Sequence, residues 1–134
     1  MSYIEENTYK AMVDIFSSIS NEEKYDFNGY FASDMMKVNS QSCVYPCFIG
    51  FNKTVIVIVK VNSELEKEGI HIINATNLKD IKVRKRFLSK IINITLYCKD
   101  STSFTIAVPH ALKYIPTQRE SVDKFLKIYE SEWA

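Results

Sequence analysis

At 134 residues the chain is long enough to bury one sizeable core. With 46% apolar and 25% charged residues, and only three Gly and three Pro, it is globular in composition, which excludes disordered, collagen-like and mucin-like classes. A formal net charge of +1 excludes a strong field over the whole molecule and argues against the overall basicity of nucleic-acid-binding domains.

The charge is nevertheless segregated. Residues 1–36 carry seven acids and two bases, a net of −5, whereas residues 79–90 carry six bases and one acid, a net of +5. The opening MSYIEENTYK has no basic region followed by an apolar one, so the expectation is a cytoplasmic protein without a secretory signal. The abundance of Ile, Asn, Lys and Tyr is what an AT-rich genome produces and suggests a bacterial source.

In chain order, Tyr9, Met12, Val13, Phe16 and Ile19 recur at helical spacing and predict an amphipathic helix over about 8–19, capped by Asn7 or Thr8. A helix of that length is marginal alone and must dock on something. From Tyr25 the period changes to two. Tyr25, Phe27 and Phe31 alternate, Gly29 suggests a bulge, and Met35, Met36 and Val38 continue as an irregular edge.

Cys43 to Phe51 contains Pro46, which predicts an edge strand or one that begins after the proline. Asn52-Lys53 reads as a two-residue hairpin connection into Thr54–Val61, whose β-branched run predicts burial on both faces. Glu64 to Glu68 reads as a charged loop closed by Gly69, followed by a short strand from Ile70 to Asn74 and a turn over Asn74–Asn77.

Ile81 and Val83 alternate with Lys82, Arg84 and Arg86, a strand with one wet face, turned by Ser89-Lys90. Two further alternations, Ile92 to Cys98 and Phe104 to Val108, are joined by the Asp100-Ser101-Thr102 turn, and Pro109 ends the second. Thr117 and Glu120 have capping-box spacing before a helix whose apolar face is Val122, Phe125, Leu126, Tyr129 and Trp133. No helix falls between strands, so parallel βαβ units are excluded and an antiparallel sheet or barrel follows.

This order resembles the bacterial pleckstrin-homology (PH-like) domain family. The match runs from about Phe48 to Tyr129, two-thirds of the chain. It rests on the turn-then-acid strand entry Asn77-Leu78-Lys79-Asp80-Ile81, the paired alternating strands from Asn93 to Val108, and the aromatic-anchored closing helix. The resemblance implies an α+β fold: a seven-stranded barrel of two near-orthogonal sheets over about 25–109, a capping helix over about 117–133, and the helix at 8–19 as an addition, in one domain over 1–134. It also implies phosphoinositide binding by a basic hairpin between the first two strands. Here that region, Phe31 to Cys43, offers only Lys37, and the bases lie in the fifth strand instead. No ligand residue carries over.

The residues themselves ask for no cofactor, no metal and no catalytic group. Cys43 and Cys47 on an extended segment stand about 13 Å apart, too far to share a zinc. No glycine-rich elbow accompanies Ser42, Ser89 or Ser103 as a nucleophile for His71 or His110, and the paired carboxylates lie in loops and helix ends. The expected function is therefore a non-catalytic cytoplasmic binding or scaffold module that engages a protein partner or self-associates. Its binding face would be Lys82, Arg84 and Arg86, meeting an acidic surface such as residues 1–36 of a second copy, the alternative being neutralisation by those residues within one monomer. The alternatives are a peripheral binder of anionic lipid headgroups and a small-molecule binding or hydrolytic domain.

Overall fold

The computed structural model describes residues 3–23, 28–38, 41–85, 90–113 and 115–133, with side chains over 7–19, 28–33, 45–85, 90–113 and 115–129. Helix α1 (Tyr3–Glu23) is followed by strands β1 (Asn28–Val38), β2 (Gln41–Phe51), β3 (Val55–Val61), β4 (Lys67–Asn74), β5 (Leu78–Lys85), β6 (Ile91–Cys98) and β7 (Ser103–Pro109), then helix α2 (Gln118–Trp133). The strands form one antiparallel sheet in the order β4-β3-β2-β1-β7-β6-β5, a PH-like α+β architecture. Its two halves meet where β1 pairs with β7, at Ser33↔Ala107 and Asp34↔Ile106. Tyr25 and Phe27 lie outside the described residues, as do Arg86 and the side chains of Met35, Met36, Cys43 and Trp133.

One apolar cluster draws on every strand and on α2, so the sheet curls around a common core that includes Tyr30, Ile49, Ile58, Ile73, Ile81, Ile94, Ile106 and Phe125. Helix α2 contributes Val122, Phe125, Leu126 and Tyr129, the face expected of it. Thr117 sits at its cap position and accepts the Ser121 amide at 2.9 Å. The Tyr129 hydroxyl donates to the Asn52 carbonyl and pins the β2–β3 turn.

A second cluster lies on the opposite face of β2 and β3, beneath α1: Met12, Phe16 and Ile19 against Phe48, Val55, Val57, Val59 and Val61. Strand β3 is thus buried on both faces, even positions toward the core and odd positions toward α1. Gly29 and Gly50 are cross-strand partners, and Phe16 lies over both. A Cβ on Gly50 would meet its ring at 2.5 Å, and one on Gly29 at 2.8 Å.

Several expectations need correction. Gly29 is no bulge; it pairs in regular register and leaves room for Phe16. Strand β1 is no edge but sits between β2 and β7. Strand β2 runs through Pro46, which occupies its last position before β3 joins at Cys47↔Lys60 and so lies where β2 has a neighbour on one side only. The β2–β3 connection spans Asn52, Lys53 and Thr54, because Asn52 Oδ1 accepts the amides of Thr54 and Val55 and fixes a wider turn. Gly69 lies inside β4, and Asn7 and Thr8 lie inside α1, whose start at Tyr3 puts Glu5 and Glu6 in the first turns, where the helix dipole favours acids.

Candidate functional site

The fifth strand presents the basic face. A bulge between Leu78 and Asp80 inserts Lys79, so Leu78 and Ile81, three apart, both point inward. Beyond it the alternation is regular. Ile81 and Val83 oppose Leu96 and Ile94 on the inner side, while Asp80, Lys82 and Arg84 oppose Tyr97, Thr95 and Asn93 on the outer side. Lys82 and Arg84 are exposed and stand two residues apart on one face, about 7 Å along the strand.

Neighbours shape this surface. Lys82 Nζ lies 5.6 Å from the centroid of the Tyr97 ring, within cation–π range. Thr95 and Thr105 hydroxyls meet at 3.3 Å on the same outer face. Asp80 turns its carboxylate onto the Ile81 amide at 2.8 Å rather than toward a lysine. Among the described residues neither Lys82 nor Arg84 forms an ion pair. No described residue of β5, β6 or β7 belongs to the cluster beneath α1, so among the described residues α1 does not pack on this half of the sheet as it does on β2 and β3.

The remaining candidates are dispersed. His110 Nε2 and Asp123 Oδ1 lie 2.7 Å apart at the surface. His71 shares the inner face of β4 with Ile73 and lays its ring 5.2 Å from that of Phe104. Cys47 and Cys98 are buried thiols in the main core. Among the described residues no group of three or more His, Cys, Asp or Glu could hold a metal, and no helix is long and apolar enough to cross a membrane.

Two features had no signal in the sequence. Gln118, expected only as part of a capping box, is fully buried and bonded to both β1 and β7. The outer face of β4 leaves Ile70 and Ile72 exposed.

No protein-family model matches the chain, and no curated protein matches it. Solved structures do. The C-terminal domain of an unknown protein from Leishmania infantum aligns with a TM-score of 0.56 at 7% identity, covering 87% of this chain and 96% of that one. The hSac2 domain from human phosphoinositide phosphatase Sac2 aligns with a TM-score of 0.55 at 10% identity, covering 87% of this chain and 78% of that one. At these identities the likeness is one of fold.

Proposed function

We propose that the domain is a non-catalytic binding module, and that the outer face of β5 and β6 engages an acidic surface on a protein partner. The observation that carries this reading is the pairing of Lys82 and Arg84 on an uncovered sheet face without an ion pair among the described residues. Cations held on a regular strand lose less freedom on binding than the same groups on a loop, which favours a partner carboxylate. The Tyr97 ring beneath Lys82 adds a flat apolar contact next to the charge. A hydrolytic reading lacks support of this kind: among the described residues neither His71 nor His110 is hydrogen-bonded to a serine or cysteine.

The test compares the wild type with Lys82→Glu/Arg84→Glu as bait in the proteome of the native organism, quantified by mass spectrometry. The proposal expects an acidic protein that is captured by the wild type, lost from the variant and released by salt. An identical captured set sinks it. Sedimentation with vesicles containing phosphatidylserine or a phosphoinositide is run in parallel. Charge-dependent vesicle binding without a protein partner replaces this reading with a lipid-headgroup one.

A further inference from the structure

Among the described residues the sheet ends at two edges that pair with no further strand, β4 and β5, and they are built differently. An unpaired edge is a template for another strand, and proteins blunt it with charge and bulges. Strand β5 carries both protections: Lys79, Asp80, Lys82, Arg84 and Lys85, and the bulge at its entry. Strand β4 confines its charges and its bulge to the Lys67–Glu68 end. From Gly69 to Asn74 it pairs with β3 in unbroken register, a straight edge about 20 Å long.

Along that edge the outer face is apolar and uncovered. Ile70 and Ile72 are 38% and 48% exposed. They stand directly beside Val59 and Val57 of β3, which the α1 cluster buries. The apolar surface therefore continues past the part that α1 covers and stops at the open edge of β4.

We infer that β4 is a self-association edge, and that its occupant is β4 of a second copy of this chain, antiparallel about a two-fold axis. The reason is register. A two-fold axis normal to the sheet keeps the outer faces on one side, so opposed residues must share a face and their numbers must sum to an even value. With the axis at His71 the sum is 142. Each Ile70 then faces Ile72 of the second copy on the outer side, while Gly69 faces Ile73 and the two His71 residues face each other on the inner side. Moving the axis by one residue either way sets Glu68 against Ile72 or Ile70 against Asn74. Only the central register sets each Ile70 against an Ile72 and gathers all four isoleucines into one block. A pair of eight-residue strands buries less than the roughly 800 Å² per partner of a standard interface, so the dimer is reversible and concentration-dependent.

Sedimentation velocity from about 10 μM to about 1 mM, where a weak interface of this kind registers, tests it on the full chain. The wild-type mass should rise from 15.5 kDa toward twice that value. Ile70→Thr/Ile72→Thr, exposed positions that keep β-branching, should weaken the dimer at least tenfold with an unchanged circular dichroism spectrum. Lys82→Glu/Arg84→Glu should leave it unaltered, which separates this edge from the basic face. A wild type that stays monomeric overturns the inference. So does a dimer equally tight in the threonine variant, a dimer abolished by the basic-face variant, or heterogeneous aggregation in place of a dimer.

Discussion

Gln118→Leu is the substitution that tests how the two halves of the sheet are held together. Main-chain pairing between β1 and β7 is confined to Ser33↔Ala107 and Asp34↔Ile106. Continued in register, the ladder would oppose Ala32 and Val108, then Phe31 and Pro109. There the strands splay, and the Gln118 amide takes the place of a neighbouring peptide group. Its Oε1 accepts the Phe31 N–H at 2.8 Å, and its Nε2 donates to the carbonyls of Phe31 and Pro109, each at 2.8 Å. Gln118 is fully buried. Leucine keeps the volume but strands one donor and two acceptors in a site with little access to water. A single orphaned buried group costs about 1–3 kcal/mol, and partial relaxation leaves a total of about 2–4 kcal/mol. With a urea m-value of about 2 kcal/mol/M, the unfolding midpoint should fall by about 1–2 M. Hydrogen exchange at the Phe31 amide should accelerate in parallel. Gln118→Glu sharpens the test, since at neutral pH its second oxygen faces two carbonyls instead of donating to them. It should be at least as damaging, and should recover partly when the carboxyl is protonated. A Gln118→Leu protein within about 0.5 kcal/mol of wild type, the range of ordinary surface substitutions, would refute the reasoning.

Two other substitutions probe the cores. Gly50→Ala drives a methyl into the Phe16 ring and should destabilise the docking of α1 by about 1–3 kcal/mol in the same assay; in a Phe16→Ala background the cost should nearly vanish, and additive effects would show that the glycine serves something else. Tyr30→Phe should be neutral or stabilising by up to about 1 kcal/mol, because the buried Tyr30 hydroxyl has no hydrogen-bond partner among the described residues. Burial first, then the neighbouring Cys47 and Tyr129, push that hydroxyl well above its ordinary value. Its raised folded value means that its contribution is fully present below a free tyrosine's pKa of about 10 and is lost as pH rises through the folded value. The variant should therefore show a shallower alkaline loss of stability, and an unchanged alkaline profile would remove Tyr30 as the cause.

Periodicity made part of this fold legible. Val122, Phe125, Leu126 and Tyr129 repeat at the helical period and all are buried. The unbroken run Val55–Val59 demanded two covered faces, and the stripe at Met12, Phe16 and Ile19 demanded a docking surface; each turned out to be the other's partner. What stayed hidden is non-local. Gly29 looks like a defect until Gly50 is placed opposite it and Phe16 above both. Gln118 looks like a surface residue of a capping box because its partners are 87 and 9 residues away. Of the basic face, Lys82 and Arg84 were legible from alternation with Ile81 and Val83. The contact of Lys82 with Tyr97 was not, because it depends on the bulge that sets the β5–β6 register.

Helix α1 decides how the rest of the outer surface has to be built. It covers β2 and β3, so Val55, Val57 and Val59 need no polar replacement there. Beyond its reach the outer face must tolerate water, and β5 to β7 do so with Asn93, Thr95, Thr105, Lys82 and Arg84. Strand β4 lies on the other side of β3 and breaks that pattern, keeping Ile70 and Ile72 where solvent reaches them. Exposed β-branched apolar residues on an edge strand favour pairing, whereas lysine and arginine on an edge strand oppose it. The two edges thus have opposite physical tendencies: the charges on β5 disfavour pairing with another strand, and the exposed isoleucines on β4 favour it. The two contacts use different side chains, Ile70 and Ile72 on β4 and Lys82 and Arg84 on β5. Charge reversal on β5 and threonine on β4 should therefore act independently.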